Sequence, residues 1–252
     1  MYEKLKADVA FLGGDYIKAA QMFLEGARDG DALASFNYGW CLWRGIGVKY
    51  DPKEAKSYFS FARDLEGGVA SYNLAMLYLH GEGVPKDYKR ACEHMRVSAS
   101  KGCIEAQLYL GAAHTSGCMF EPDVVGISMI PYHKPEYRTD TLLLEGDVSD
   151  FELDEHLRYS AISYDPQRAF TYFRAASRHD PTYVSELVSK GKYLYALCYA
   201  DGLGTDADYT RASRLMFAAK RAGSKDAEIY ILENGLTDPA LEAKQYVALK
   251  GR

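Results

Sequence analysis

Histidines and cysteines are the residues most able to hold a metal or move a proton. The chain has six histidines, His80, His94, His114, His133, His156 and His179, and five cysteines, Cys41, Cys92, Cys103, Cys118 and Cys198. His114 and Cys118 are four apart, a spacing that puts two ligands on one helix face. His94 and Cys92 lie on another helix, and a zinc site needs three or four converging ligands. Nucleophilic catalysis needs a serine or cysteine beside an oriented base, and none of these histidines sits in such a motif. Gly45-x-Gly47 and Gly81-x-Gly83 would cradle a phosphate only after a strand and with further glycines. Both are missing, and the pair recurs along the chain, so it reads as an interhelix turn. These residues point to no metal, no cofactor and no catalytic site.

What they point to instead is a repeat. Ala34, Ala70 and Ala106 are spaced by 36, as are Gly39, Ala75 and Gly111, and Gly45, Gly81 and Gly117. Asp15, Asp51 and Asp87 keep the same period, and so do Ala19, Ala55 and Ala91. A fixed period of this size marks a stack of supersecondary units. Each unit reads as two helices joined by a glycine-rich turn. Asp at 15, 51, 87, 165 and 208 suits an N-cap, and Pro52 and Pro166 follow two of these at the first helical position. Gly30, Gly102 and Gly223 suit left-handed C-terminal caps. The small residue at 39, 75, 111 and 196 implies close approach of two helix backbones.

The period predicts an all-α chain of helical hairpins. Residues 1–30 form an N-terminal hairpin, with Ala7, Ala10 and Phe11 on the first helix and Ala19, Met22, Phe23 and Ala27 on the second. Repeat 1 covers 31–68, repeat 2 covers 69–102, repeat 3 covers 103–180 and repeat 4 covers 181–223. Residues 224–252 make a C-terminal capping hairpin, with helices near 225–234 and 238–250. Ala169 follows Ala91 by 78 residues, so about 42 extra residues enter the turn of repeat 3, at about 119–162. That insertion carries ten acids and three bases between Glu121 and Arg158, a net of −7 in a chain of net −5. Ser149-Asp150-Phe151-Glu152 has capping-box spacing and predicts a short helix over 150–162. The apolar residues Val124, Val125, Ile127, Ile130 and Leu142 to Leu144 imply that part of the insertion is ordered and packs on the array. Ala212 follows Ala169 by 43 residues, seven more than the period. Seven residues are nearly two turns, so they lengthen the first helix of repeat 4 without rotating its buried face.

Composition agrees with this class. Hydrophobic residues make up 48%, enough for a core. A net charge of −5 argues against a nucleic-acid partner. No apolar run reaches membrane-spanning length, and Asp8 interrupts the N-terminal apolar stretch, so no signal peptide is expected. The cysteines do not follow the repeat, which suits reduced core thiols in a cytoplasmic protein.

The motif Ala-x3-Leu-Ala-x2-Tyr-x2-Gly-x-Gly-Val-x2-Asp-x3-Ala, read from Ala70 to Ala91, resembles the Sel-one-like repeat, a relative of the tetratricopeptide repeat. The first unit matches at Ala34, Tyr38, Gly39, Leu42, Gly45, Gly47, Val48, Asp51 and Ala55. The fourth matches at Tyr195, Ala196, Tyr199, Gly202, Gly204, Asp208 and Ala212. The third keeps Ala106, Leu110, Gly111 and Gly117. The resemblance implies a right-handed α/α superhelix, a solenoid whose first helices line a concave face. It implies a non-enzymatic scaffold or adaptor that binds a protein or peptide. Cysteine-rich relatives bridge their helices by disulfides; the cysteines here do not recur at that period.

By the same resemblance, the residues flanking the small position face the groove. They are Phe36, Trp40, Trp43 and Arg44 in the first unit, and Tyr72, Met76, Leu79 and His80 in the second. Leu108 and Ala112 follow, then Tyr193 and Leu197. An aromatic groove of this kind takes a peptide by its side chains. The other reading of these aromatics is plain filling between helix layers. The alternative function is an enzyme or small-ligand protein with a site between insertion and groove, near His114, His133 or His156.

Overall fold

The computed structural model describes residues 4–65, 68–117, 119 and 161–238. Among them are eleven α-helices and no strand. They fall into two compact units whose boundary lies inside one helix, between Tyr109 and Leu110. In the first unit, α1 (Lys4–Leu12) pairs with α2 (Tyr16–Arg28), and α3 (Ala32–Arg44) with α4 (Pro52–Phe61). There α5 (Val69–His80) pairs with α6 (Tyr88–Ser100), and a 3-10 turn, Ala62–Asp64, follows α4. The helix α7 (Ile104–Ser116) runs across the division. The second unit continues with α8 (Pro166–Ala176), α9 (Pro181–Asp201), α10 (Tyr209–Arg221) and α11 (Lys225–Glu233). Of the helices expected over 150–162 and near 238–250, only 161, 162 and 238 are described, and these are not helical; the rest, with the packing of the insertion, falls outside the described residues.

The capping expectations hold in detail. Asp15, Asp51, Asp87, Asp165 and Asp208 each accept a hydrogen bond from the amide three residues on, at 2.8 to 3.3 Å. Each satisfies an amide that the first turn leaves without an intrahelical partner. Gly30, Gly102 and Gly223 have φ of 84°, 88° and 97°, the left-handed conformation that ends a helix. The extra residues of the fourth repeat do extend its first helix. α9 has 21 residues, where α3 and α7 have 13 each.

Four hairpins close by one main-chain bond. The amides of Asp51, Asp87, Asp165 and Asp208 donate to the carbonyls of Leu42, Tyr78, His114 and Tyr199 at 2.9 to 3.0 Å. Three of those turns run six residues from glycine to aspartate; the third runs from Gly117 to Asp165. Its two ends nevertheless meet as the others do, since a Cβ on Gly117 would lie 3.0 Å from the Tyr164 amide.

The second glycine of each turn lies on the preceding second helix. A Cβ on Gly47 would meet the Tyr16 carbonyl oxygen at 2.1 Å, one on Gly83 the Lys53 amide at 2.4 Å, and one on Gly204 the Pro166 carbonyl oxygen at 2.1 Å. The first glycine, Gly202, also has positive φ, but its nearest neighbour would be 3.5 Å away. The third turn has Met119 at the second position.

The small first-helix residue makes room chiefly for a side chain, where a backbone was expected. A Cβ on Gly39 would lie 3.1 Å from the Phe59 ring, and one on Gly111 would lie 2.4 Å from Phe173. Phe59 and Phe173 each stand four residues after the repeating alanine. Where the small residue is alanine, at 75 and 196, methionine occupies that position, as Met95 and Met216. Glycine goes with phenylalanine and alanine with methionine, which keeps the filled volume near constant in a close-packed layer. True backbone approach occurs at Gly191, where a Cβ would lie 2.9 Å from the Ala176 carbonyl carbon.

Two predictions follow the geometry. Gly111→Leu drives atoms into the Phe173 ring and should cost about 1–3 kcal/mol or more; unchanged chemical denaturation would refute the contact. Gly202→Ala and Gly204→Ala both pay for positive φ, about 1–2 kcal/mol. Gly204→Ala should cost at least about 1 kcal/mol more, because only there does the methyl strike backbone. Equal melting temperatures for the two would contradict the seating of the turn.

Candidate functional site

The first helices of the first two repeats, α3 and α5, are interior, and the second helices are not. Of the 12 residues of α5, 11 are buried, while α2 buries four of 13. Burial therefore divides the residues expected to face a groove. Phe36, Trp40, Tyr72, Met76, Leu79 and Leu108 lie in the core, at 8% exposure or less. Phe36 packs on Phe59 with centroids 5.6 Å apart, and Trp40 meets Phe11 edge-on at 5.7 Å. Trp43, His80, Ala112, Tyr193 and Leu197 are half-buried and Arg44 is exposed. For the six core residues the structure realises the filling role.

In the first unit, the accessible residues gather at the ends of α3 and α5. The Trp43 indole N–H donates to the Glu82 carboxylate, in the turn of the next hairpin. The Arg44 guanidinium lies 5.1 Å from the Trp43 ring centroid. Exposed Tyr50 stands beside them, its phenol pushed up by burial and by the Glu82 carboxylate. His80 ends α5, one position before the turn glycine. An aromatic ring, a cation and an anion are thus held at one exposed helix end.

In the second unit, Tyr193 and Leu197 pack with Tyr230 against the core of Ala196, Met216, Ala219, Ala227 and Ile231. Asp201 lies one turn beyond Leu197. The Tyr193 phenol is pushed up by burial, then by Asp226, Tyr230, Asp201 and Glu233. Burial pushes Lys190 down to about 8, against the opposing pull of Asp226 and Glu186. Asp201 also lines a cavity of about 640 Å3 with Tyr164, Pro166, Gln167, Leu203 and Asp206.

Sequence reasoning missed a recurring cation lock. Arg90, Arg168 and Arg211 each stand three residues after a capping aspartate, a spacing open to inspection. Arg90 lies 5.6 Å from the Tyr78 centroid and Arg211 lies 4.5 Å from the Tyr199 centroid. Lys56 also lies over Tyr78, at 5.6 Å, and His94 stacks on the same ring at 5.6 Å. His114, at the equivalent first-helix position, stacks on Tyr172 at 5.9 Å, and its Nδ1 is 2.9 Å from the Ser163 carbonyl oxygen. It packs as the tyrosines do.

The described cysteines are poor nucleophiles. Cys41, Cys92, Cys103 and Cys198 are buried and reduced. Burial pushes the Cys41 and Cys198 thiols up to about 12, and Cys103 is raised by burial and by the neighbouring Glu105 carboxylate. A thiolate is the reactive form, so these thiols are held inert. Among the described residues, no group of three or more histidine, cysteine or acidic side chains is placed to hold a metal. Cys118, His133 and His156 lie outside those residues. Among the described helices, none is long and apolar enough to cross a membrane.

Paired helices joined by capped glycine turns define a helical-repeat protein of the α/α solenoid class. The chain belongs to the Sel1 repeat family, which matches residues 32–66, 68–103, 157–181 and 189–224, more than half its length. Proteins of this family are in general interaction scaffolds. The fold is similar to that of a Sel1 repeat protein from Oxalobacter formigenes, with a TM-score of 0.66 and 16% identity over 92% of this chain and 75% of that one. A second solved structure is c5321, a protective antigen of uropathogenic Escherichia coli strains displaying an SLR fold. It gives a TM-score of 0.39 and 17% identity over 93% of this chain and 56% of that one. Chitin synthase regulatory factor 3 of Schizosaccharomyces pombe (strain 972 / ATCC 24843) is 23% identical over 172 residues, 66% of this chain. The chain spans 18% of the length of that relative.

Folded thiol pKa values lie above the ordinary value of about 8.5. The native state therefore gains stability from the thiols below that pH and loses it as pH climbs towards about 12. Iodoacetamide at pH 8 should leave Cys41, Cys103 and Cys198 unmodified in native protein and alkylate them in guanidinium. Peptide mapping without reductant should find no disulfides recurring with the repeat. Rapid native alkylation of these three thiols would contradict their burial.

Proposed function

We propose that this chain is a non-enzymatic interaction scaffold that takes a peptide or protein partner on the accessible residues of its first helices. Trp43, Arg44 and His80 present one such surface, and Tyr193 and Leu197 another. The buried Phe36, Trp40, Tyr72, Met76, Leu79 and Leu108 support these surfaces from beneath.

The observation that carries this reading is the Trp43–Glu82–Arg44 group. An indole held by a neighbouring carboxylate loses little freedom when a partner packs on it, which lowers the cost of binding. Tryptophan and arginine are also the residue types that most often dominate binding energy. Family membership supports the reading, as does the regulatory role in the name of the fission-yeast relative. The enzyme alternative gains no support from the described residues. His114 is committed to a stack and a carbonyl contact, and burial holds the Cys41, Cys103 and Cys198 thiols in the protonated form.

Selection of a displayed nonapeptide library on the full chain tests the proposal. It should enrich a restricted set of peptides, and Trp43→Ala should weaken those bound at the first unit by about tenfold, near 1.4 kcal/mol. The melting temperature should stay near wild type, since Trp43 is only half-buried. A library with no enrichment over several rounds would overturn the scaffold reading.

A further inference from the structure

We propose that the Asp201 cavity and the tyrosine face beside it form a docking site for a lysine or arginine side chain of a peptide partner. This rests on the scaffold reading and names the chemistry of one of its surfaces.

The face lies in the second unit. Glu186, Lys190, Tyr193, Leu197 and Asp201 recur at intervals of three and four on α9, so they share one side of the helix. Tyr230 of α11 packs against the same core as Tyr193 and Leu197. Asp226 and Glu233 of α11 and Asp201 of α9 all act on the Tyr193 phenol. Asp201 and Tyr209 both act on Tyr230. Three tyrosines therefore stand among three carboxylates. At the end of this face the cavity opens, with Tyr164 61% exposed at its wall and a further carboxylate, Asp206, in its lining.

Two independent features identify the ligand. The first is uncompensated charge. Among the described residues, Asp201, Asp206 and Glu233 make no ion pair, whereas Asp226 acts on Lys190 and Glu228 pairs with Lys220 at 3.0 Å. Lys190 is the one cation within the row of α9 residues just named, against two carboxylates there. The second is empty ring faces. The chain covers Trp43, Tyr78 and Tyr199 with its own arginines or lysines. Among the described residues, it places no cation over Tyr164, Tyr193, Tyr209 or Tyr230.

A lysine or arginine side chain satisfies both features. Its aliphatic stem lies along Leu197 and the tyrosine rings, and its charged head reaches a carboxylate. The cavity volume of about 640 Å3 falls in the usual range for ligand sites, roughly 300–1,000 Å3. An acidic or phosphorylated peptide is repelled there by the surrounding carboxylates, against the single cation Lys190.

Fluorescence polarisation with the full chain decides the matter. The probe is a labelled nonapeptide with three arginines separated by leucine and glycine. Matched peptides carry glutamine or glutamate in place of arginine. The arginine peptide should bind best and weaken as salt rises, and the glutamate peptide should not bind. Asp201→Asn and Asp226→Asn should each weaken the arginine peptide roughly fivefold, while Asp201→Glu retains binding. Melting curves of all variants establish that they fold. The proposal is overturned if the arginine peptide binds no better than the glutamine peptide, or if both asparagine variants bind it like wild type. In either case, library peptides that depend on Trp43 would leave the scaffold reading standing.

Discussion

Three interhelix turns rest on bare backbone. Gly47, Gly83 and Gly204 seat on the first turn of the preceding second helix so closely that a methyl group would overlap a carbonyl oxygen or an amide. This contact sets how near consecutive hairpins lie. The aspartate amide then ties the turn back to its own first helix. With the side-chain cap on the following amide, one aspartate closes the hairpin and starts the next helix. Turn and cap form a rigid connector, and the packing of the helices follows from where it puts their axes. The third hairpin keeps the main-chain bond while dispensing with the second glycine. The bond between Asp165 and His114 joins the ends of that hairpin although they are far apart in sequence.

That geometry divides labour between the helices. Second helices touch the array along one stripe and are amphipathic. First helices within the stack are enclosed by neighbours, so α5 buries polar Ser71 and Asn73 as well as its aliphatic residues. In the first unit the accessible candidates are therefore at helix ends and turns, whereas the longer α9 leaves Tyr193 and Leu197 half-buried along its length. Trp43 and His80 are accessible because they belong to last turns, where coverage by neighbouring helices runs out. Trp40, one turn earlier, is enclosed.

The aromatic residues carry a second division. Rings at the hairpin seams are claimed by the chain's own cations, as with Tyr78 under Arg90 and Lys56, or Tyr199 under Arg211. Each such arginine is aligned by its backbone bond to the capping aspartate, so the lock comes with the cap. Where carboxylates replace cations, around Tyr193 and Tyr230, the rings keep open faces. The same residue type thus serves the seam in one place and a surface in another, and the neighbouring charge decides which.

Much of the fold was legible from spacing. The period of 36, the aspartate caps, the left-handed glycines and the longer α9 follow from local rules, because caps and turns depend on a few adjacent residues. The close approach at position 39 and position 111 was also legible as a small residue, but its cause was not. Only packing reveals that a phenylalanine ring fills the space, since the partner lies on another helix. The candidate site was less legible. A helix that is apolar on every side does not reveal which side faces a partner, so Phe36, Tyr72 and Leu108 read the same as Trp43 and Tyr193. The sequence by itself determined that this is a capped helical-hairpin repeat. Tertiary structure decided which aromatics are core and which are surface, because burial depends on neighbours a whole repeat away.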